Sequence, residues 1–356
     1  MPISLPFTHA PQSLCVLRLS AVGDICHALP VVRSIQQQWP QTKITWIIGK
    51  LEATLVGDID NIDFITFDKS KGLSAYREVR RQLHKRRFDA LLHMQMSLRS
   101  SILNRFVNTN IRIGFDRARA KDLQWLFNNH TIAAQPQQHV LDSFFSFAEA
   151  IGVHNKQLIW DIPISSADRD AAEQLLPGDP PTLIISPCSS MAYRNWHSAG
   201  YAAVCDYAHE HYGLRVAITG GPSAIENQMA SEIDAKARHK PINLVGKTNL
   251  KQLLALLYKA VAVVSPDSGP AHMATAVRTP VIGLYACTNP DRARPYLSAE
   301  YTIDKYHEAV LAKYGKNADE LMWGLRVRDT GTMERITVED VTGMLDKVMT
   351  SRMQRS

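Results

Sequence analysis

An acid, a hydroxyl and a glycine stand together where a strand-like run gives way to a helix-like one. The stretch is VVSPDSGPAHMATAV, in which Asp267, Ser268 and Gly269 precede small residues that begin near Pro270. Proline is favourable at a first helical position, and Asp or Ser just before it can cap free backbone amides. The alternative is an anion site, where glycine lets a phosphate approach the amides and partial positive charge of a helix start. The junction alone leaves both interpretations open.

Two further corners in the same half of the chain carry groups that suit a nucleoside diphosphate. SPCSSMAYRNW brings the hydroxyls of Ser189 and Ser190 and the cation Arg194, and TGGPSAIE brings the carboxylate Glu226. A cation and backbone amides bind phosphates, and a carboxylate binds ribose hydroxyls. The three corners together predict a nucleotide site. A surface ion pair remains the alternative for Arg194, and a core position remains the alternative for His272, which follows the first corner.

The first half of the chain has one comparable corner, RLSAVGDICHALP. Asp24 follows a short apolar run and Gly23, and it opens a stretch in which Ile25 and Leu29 begin a helical spacing of apolar residues. The carboxyl end of a parallel strand is where α/β sheets bind ligands. Capping of the helix is the alternative role for this aspartate.

The order of strand-like and helix-like segments along the chain predicts the fold that would hold these corners. Strand-like runs such as CVLRLS and ITWIIG alternate with helix-like runs up to Ile151, and the alternation restarts at TLIISP after a stretch rich in proline and polar residues. We predict an α/β fold of two Rossmann-like parallel-sheet domains facing across a cleft, at residues 1–165 and 180–330. Residues 331–356 are expected to end in a capped helix, which could pack on the first domain.

Composition limits the classes of function. The 356 residues are 45% hydrophobic and 21% charged, with a formal net charge of +6. Such a mild excess of positive charge suits anionic substrates or an anionic membrane surface, and with no arginine-rich block we expect no nucleic-acid partner. Five cysteines without a CxxC pair, no signal-like leader and no apolar run of the ~20 residues that a membrane span needs predict a cytoplasmic protein.

Several tempting motifs fail. LVGKT lacks the first glycine of a phosphate-binding loop, since Pro241 stands in its place, and no GxGxxG follows a strand. The acidic triplet Asp58 to Asp60 lies in a predicted loop, and the thirteen histidines form neither an HExxH pair nor a cluster with cysteine. We therefore predict neither a metal nor a cofactor.

The chain resembles the ADP-heptose:lipopolysaccharide heptosyltransferases, a family of inverting GT-B glycosyltransferases, and most of all the heptosyltransferase I type. The resemblance runs from about Leu14 to about Pro295. Its most specific parts are SAVGDICHALP, the D-S-G-P-A-H corner and YACTNPDRARPY, and GFDRARAKDL is also similar to the family's first domain. It implies transfer of a heptose, with inversion, from ADP-heptose to the inner core of lipopolysaccharide in the Kdo–lipid A region, at the cytoplasmic face of the inner membrane.

The resemblance also implies roles for individual residues. Asp24 would be the base that deprotonates the acceptor hydroxyl, and Arg99 and Lys121 match basic positions associated with the anionic acceptor. The basic segment 80–87 fits that acceptor or a solvated helix face equally well. The donor would be held by hydroxyls and a cation near its phosphates, a carboxylate on its ribose and the helix corner at its diphosphate and sugar: Ser189, Ser190, Arg194, Glu226, Asp267, Ser268, Gly269 and His272.

Three alternatives remain open from the sequence. The acceptor could be a later core heptose or a polypeptide, because the acceptor-facing loops differ most within the family. A non-catalytic protein that binds a sugar nucleotide would keep the donor corners, but the presence of Asp24 argues against it.

The sequence departs from the family pattern at Arg194, which stands where a lysine is common. The positive charge is kept, and the geometry of the hydrogen-bond donors changes.

Overall fold

Two six-stranded parallel sheets organise the chain, of which the computed structural model describes residues 5–354. The contacts within the chain divide it between Pro163 and Ile164 into two units, each with its own sheet. Residues 166–175, which the sequence placed between the two predicted domains, form a helix that belongs to the second unit and packs on a helix there. The α/β class with two Rossmann-like sheets is confirmed.

The first unit has the strand order β3-β2-β1-β4-β5-β6, with every neighbouring pair parallel. Its strands are β1 (Ser13–Leu17), β2 (Lys43–Gly49), β3 (Ile62–Phe67), β4 (Ala90–His93), β5 (Arg112–Gly114) and β6 (His130–Thr131). Its helices are α1 (Val22–Gln38), α2 (Lys50–Val56), α3 (Leu73–Leu83), α4 (Leu98–Asn104) and α5 (Val140–Ile151).

The apolar spacing that predicted the first helix has the expected effect. Ile25, Leu29, Val32 and Ile35 all lie on α1, and all four side chains are buried. Residues three and four apart share one face of a helix, so this face lies in the interior, while Gln37 and Gln38 at the end of α1 are exposed. The predicted strands at CVLRLS and ITWIIG correspond to β1 and β2, and both are buried on both faces, as parallel strands are.

The second unit repeats this topology with the order β12-β11-β10-β7-β8-β9. Its strands are β7 (Thr182–Ile185), β8 (Arg215–Ile218), β9 (Ile242–Asn243), β10 (Ala262–Pro266), β11 (Val281–Tyr285) and β12 (Thr302–Asp304). Its helices are α6 (Ser166–Leu175), α7 (Ser198–Tyr212), α8 (Ala224–Lys236), α9 (Leu250–Lys259), α10 (Gly269–Ala276), α11 (Pro290–Ala293), α12 (Tyr306–Tyr314) and α13 (Val338–Met353).

The last helix, α13, is capped as the sequence predicted, but its apolar side is used within the second unit. The Thr337 side chain accepts the N–H of Asp340, and the Asp340 carboxylate accepts the N–H of Thr337. Val341 and Leu345 lie in the hydrophobic core of the second unit, and the helix packs on α7. The further expectation, that this helix could also pack on the first domain, stays a prediction.

In both sheets the chain reverses its direction of winding at the centre. The neighbouring strands are β1 and β4 in the first unit and β7 and β10 in the second, and the connections that follow them lead to opposite halves of each sheet. At such a point the loops after the two strands diverge and leave a crevice, which is where open α/β sheets bind ligands. The predicted corners at Asp24, Ser189 and Asp267 follow three of these four strands.

Among residues 5–354, no helix is both long enough and apolar enough to cross a bilayer.

Candidate active site

Asp24 lies in the first turn of α1, just beyond the end of β1. Its Oδ2 accepts the backbone N–H of Ala21 at 3.2 Å, so the capping contact that the sequence left open is present. The same carboxylate forms an ion pair with the guanidinium of Arg18, and about a third of its side chain faces solvent. The carboxylate is thus fixed by two partners while one side stays accessible.

Arg18, which the sequence analysis did not single out, is buried beside this aspartate. It follows β1, donates from Nη1 to the carbonyl of Met94 at 2.6 Å and lies over the ring of Phe144 at 5.1 Å. Its Nε has no hydrogen-bond partner among the residues that the structure describes. A buried donor left unused is costly, and its presence in a crevice is typical of a site that a ligand completes. A charged residue within the apolar run CVLRLS was the signal for it.

Gln95, also missed, ties the loop after β4 to the loop after β1. Its Oε1 accepts the backbone N–H groups of Leu19 at 2.6 Å and Ser20 at 3.2 Å, and its Nε2 donates to the Ser20 hydroxyl. Gln124 in turn donates to the Gln95 carbonyl at 3.1 Å. These contacts fix the backbone that connects Arg18 to Asp24.

A second carboxyl group, that of Glu52 on α2, is buried close to the same corner. A Cβ atom at Gly49 would lie 2.4 Å from both Glu52 Oε2 and the Leu19 carbonyl oxygen, so only glycine fits where these segments meet. Burial raises the pKa of Glu52, while the positive charges of Lys69 and Arg18 oppose that shift. No sequence pattern pointed to this acid.

The two predicted acceptor residues lie on neighbouring segments of the first unit. Arg99 is exposed on α4, and Lys121 is exposed just before the 3₁₀ helix Gln124–Leu126. Neither residue forms an ion pair with any residue between 5 and 354, so both charges remain available to an anionic ligand. In the basic segment 80–87, by contrast, the cations are exposed on and after α3, and Arg86 pairs with Asp63.

In the second unit, Arg194 and Asp267 meet at the ends of β7 and β10. Arg194 Nη1 lies 3.1 Å from Asp267 Oδ2 and donates to the Asp267 carbonyl at 3.2 Å, with both side chains largely buried. This pair is therefore not the surface ion pair that the sequence left open. Arg194 Nε has no hydrogen-bond partner among the described residues. The guanidinium keeps donor capacity that a phosphate oxygen can use.

The helix start after Asp267 bears on the two interpretations of the PDSG stretch, and the anion site stays a prediction. Ser268 is the N-cap residue of α10, yet within the described chain its side chain makes no capping bond and instead contacts the Ser265 hydroxyl at 2.7 Å. The first amides of α10 are thus not satisfied by a side-chain cap, which is the arrangement that binds anions. His272 is buried on this helix, with Nε2 4.0 Å from Asp267 Oδ1. Gly269 is its first helical residue.

Glu226 occupies the third corner, in the first turn of α8. Its Oε1 accepts the N–H of Gly221 at 2.8 Å, and its Oε2 accepts the hydroxyl of Ser223 at 2.7 Å. Each carboxylate oxygen keeps a second lone pair for a ligand hydroxyl. The pKa of the Cys188 thiol is raised to about 12, first by burial and then by the charge of Glu226.

The two predicted serines differ in their surroundings. Ser189 donates its N–H to Asn195 at 2.8 Å and accepts the N–H of Met191, so it shapes the turn before Arg194. Ser190 is exposed. Asp58 and Asp60 lie in the turn between α2 and β3, and the residues from 5 to 354 contain no group of three or more His, Cys, Asp or Glu side chains arranged to hold a metal ion.

Two Rossmann-like parallel sheets in succession are the GT-B arrangement, which is one of the folds of glycosyltransferases. Residues 76–323 match the model of glycosyltransferase family 9 (heptosyltransferase), and the chain belongs to that family. It is 44% identical to the lipopolysaccharide core heptosyltransferase OpsX of Haemophilus influenzae over 96% of this chain and 98% of that protein. The resemblance recognised from the motifs is confirmed.

Solved structures share the fold. A family 9 glycosyltransferase from Veillonella parvula superposes with a TM-score of 0.78 at 21% identity, covering 96% of this chain and 97% of that one. The Escherichia coli ADP-heptose heptosyltransferase II superposes with a TM-score of 0.72 at 18% identity, covering 96% and 99%. At these identities the match shows the architecture, and the chemistry has to be argued from the residues.

Proposed function

We propose that this enzyme transfers a heptose from ADP-heptose to the inner core of lipopolysaccharide, in the Kdo–lipid A region, with inversion at the anomeric carbon. The observation that carries the donor half of this proposal is the corner after β10. There a largely buried arginine with an unused donor stands beside a helix start whose side-chain cap is absent among the described residues. Such a corner compensates the negative charge of a diphosphate.

The donor's two ends have complementary partners in the second unit. Arg194, the Ser268 hydroxyl and the first amides of α10 would bind the phosphates, and Ser189 and Ser190 lie on the loop that leads to Arg194. Glu226 would accept ribose hydroxyls. The carboxylate of Asp267 would orient the sugar while it holds Arg194 in place.

The acid–base half of the reaction belongs to the first unit. Asp24 would take the proton of the acceptor hydroxyl as its oxygen attacks the anomeric carbon, and the bond from that carbon to the ADP oxygen breaks in the same step. Positioned proton transfer of this kind contributes about 10²–10⁴-fold. The charge that builds on ADP is stabilised by groups that are already oriented before the reaction.

For the acceptor, we infer a phosphorylated sugar acid attached to a lipid, because Arg99 and Lys121 are exposed cations without ion-pair partners in the described chain. The near-full-length similarity to a lipopolysaccharide core heptosyltransferase supports this class. Such an acceptor places the enzyme at the cytoplasmic surface of the inner membrane.

Mass analysis of the product tests the proposal. Purified enzyme is incubated with ADP-heptose and a panel of lipopolysaccharide cores truncated at the Kdo, first-heptose and second-heptose stages. We expect one added heptose on the core that ends in Kdo. Addition only to a longer core or to a polypeptide would refute the proposed acceptor. Tight ADP binding without any product would refute the transferase activity and indicate a binding protein.

A further inference from the structure

Two segments of the first unit, α4 and the stretch that contains the 3₁₀ helix Gln124–Leu126, are linked by hydrogen bonds. Just before α4, the carbonyl of Gln95 accepts a hydrogen bond from Gln124 Nε2 at 3.1 Å. At the end of α4, Asn104 Nδ2 donates to Asn128 Oδ1 at 2.9 Å. Because both ends of α4 are tied to this stretch, we treat the exposed side chains of the two segments together as one surface.

That surface carries large apolar side chains in water. Between 36% and 58% of each is exposed, and together we call them the apolar patch: Leu98, Ile102, Leu123, Trp125 and Leu126. Single exposed leucines are ordinary, as at Leu73 on α3 and Leu311 on α12. Five such residues on two joined segments mark an interaction surface.

One residue of the patch, Leu123, has an unfavourable backbone conformation. Leu123 has a φ value of 57°, in the left-handed region that a bulky L residue rarely adopts, whereas Asp122 before it, with a φ of 50°, is of a type that tolerates this region. A leucine kept there with 57% of its surface exposed gains nothing from the core. Strained and exposed residues of this kind persist where they serve a ligand or partner.

The chain segment that carries the patch has an excess of positive charge. Between residues 98 and 126 the chain has six basic and two acidic residues, and the exposed cations are Arg99, Arg105, Arg117 and Lys121. Arg117 lies over the ring of Trp125 at 4.4 Å, and the carboxylate of Asp116 is taken by Arg119. Apolar and tryptophan side chains within a cationic border match an anionic bilayer, whose interface accepts both.

We propose that the apolar patch docks the enzyme on an anionic lipid bilayer, with Leu123, Trp125 and Leu126 entering the interface and the surrounding cations contacting headgroup phosphates. This inference rests on the proposed function, since a lipid-linked acceptor has to be met at a membrane. It places the docking surface on the segments that carry Arg99 and Lys121, so binding the bilayer brings those cations to the acceptor.

Vesicle binding tests the patch. The full chain is sedimented with vesicles of phosphatidylethanolamine and phosphatidylglycerol, and with phosphatidylcholine vesicles for comparison. We expect binding to the first kind, weakened by salt, and a loss of about tenfold or more for Leu123→Ser/Trp125→Ser/Leu126→Ser, since three apolar side chains then no longer enter the interface. Leu98→Ser/Ile102→Ser on α4 is an independent second variant, and Leu73→Ser/Leu311→Ser is the matched control.

Insertion itself has an optical readout. Lipids brominated on the acyl chains should quench tryptophan emission of the wild-type protein, and Trp125→Phe should remove most of that quenching. The inference is overturned if wild-type protein does not bind anionic vesicles, if the patch variants bind as well as it does, or if the control loses as much as they do.

Turnover on two kinds of acceptor distinguishes failure of the docking role from failure of the proposed function. Patch variants should keep wild-type turnover on a deacylated, water-soluble core acceptor and lose it on acceptor embedded in vesicles. Loss on the soluble acceptor with vesicle binding intact would make the patch part of the acceptor pocket and overturn the docking role. Vesicle binding through the patch without heptose transfer to any core would refute the proposed function and leave the docking surface standing.

Discussion

At the scale of single residues, the proposed mechanism depends on the carboxylate of Asp24. Asp24→Asn keeps the size and can still accept the N–H of Ala21, but it cannot take the acceptor proton and it leaves Arg18 without its ion-pair partner. We expect turnover to fall by about 10²-fold or more, with ADP affinity unchanged. Steady-state kinetics with saturating acceptor, together with calorimetry for ADP, measure the two effects. Wild-type turnover in this variant would refute the base assignment.

The donor assignment makes a prediction about affinity. Arg194→Ala removes a charge-assisted contact to phosphate and leaves Asp267 as an uncompensated, largely buried carboxylate. ADP binding should weaken by about 1–3 kcal/mol, and Glu226→Ala should weaken it to a similar extent from the ribose end. Calorimetry with ADP measures both.

A double variant separates the two contributions of Arg194. Arg194→Ala/Asp267→Asn lacks the uncompensated carboxylate, so it should regain part of the lost ADP affinity. If both single variants bind ADP as the wild type does, the nucleotide lies elsewhere. If the double variant is weaker than Arg194→Ala, Asp267 contributes to the donor directly.

At the scale of elements, the corners were predictable and the contacts between them were not. The periodicities of α1 and α10 and the apolar runs of β1 and β10 are enough to place Asp24 and Asp267 at strand ends. The Gln95 side chain reaches Leu19 across 76 positions of sequence, and no local pattern contains that distance. The short strands β5, β6 and β12 have two or three residues each, too few to show a period.

The loop contact through Gln95 predicts a positioning role. In Gln95→Leu, the N–H groups of Leu19 and Ser20 lose their acceptor, so the backbone between Arg18 and Asp24 is no longer fixed. We expect kcat to fall by about tenfold or more, because a base displaced by a fraction of an ångström transfers protons poorly, while the KM for ADP-heptose stays the same. Gln95→Glu keeps the two acceptor contacts and should recover much of kcat. A rise in the KM for ADP-heptose as large as the fall in kcat would indicate general loss of structure instead of a positioning role.

The buried histidine His93, which is hydrogen-bonded to Ser100 on α4, makes the stability of the first unit depend on pH. His93 is fully buried, with its ring nitrogens near Asn128 at 3.2 Å and Ser100 at 3.1 Å. Burial lowers its pKa to about 4 from the ordinary value of 6.5. The folded state therefore holds His93 neutral, and its contribution to stability is complete above pH 6.5 and is lost as the pH falls toward 4.

Urea unfolding measures this effect. Between pH 7 and pH 5 the free energy of unfolding should fall by about 2 kcal/mol more in the wild type than in His93→Gln, which has no proton to bind. His84→Gln, at an exposed histidine in the same unit, is the matched control and should keep the wild-type slope. Equal slopes for wild type and His93→Gln would show that His93 is not held neutral.

At the scale of the whole molecule, one topology occurs twice and is used for two purposes. The first unit has a carboxylate just beyond its central strand β1 and exposed cations on α4 and before the 3₁₀ helix, and the second has a cation, hydroxyls and a helix start beyond its central strands. A Rossmann-like sheet fixes where a ligand can bind, and the residues of the loops decide which chemistry occurs there. The sequence could therefore place the candidate residues Asp24 and Asp267 at strand ends, and their roles stay predictions, whereas the acceptor's identity depends on loop side chains with no fixed pattern.

The charge on the leaving ADP is the final requirement on the molecule as a whole. In the proposed mechanism, Arg194 and the first amides of α10 would supply fixed positive potential beside the leaving ADP, which is the role that a divalent ion has in many glycosyltransferases. We therefore predict that heptose transfer continues in excess chelator at a rate within a few-fold of that with magnesium, because preorganised donors already stabilise the developing charge. A modest effect of magnesium is compatible with this, since the ion binds free ADP and the phosphorylated acceptor. Activity that disappears with chelator and returns only with a divalent ion would refute this prediction. The variants Asp58→Asn and Asp60→Asn would then show whether these two carboxylates hold the ion.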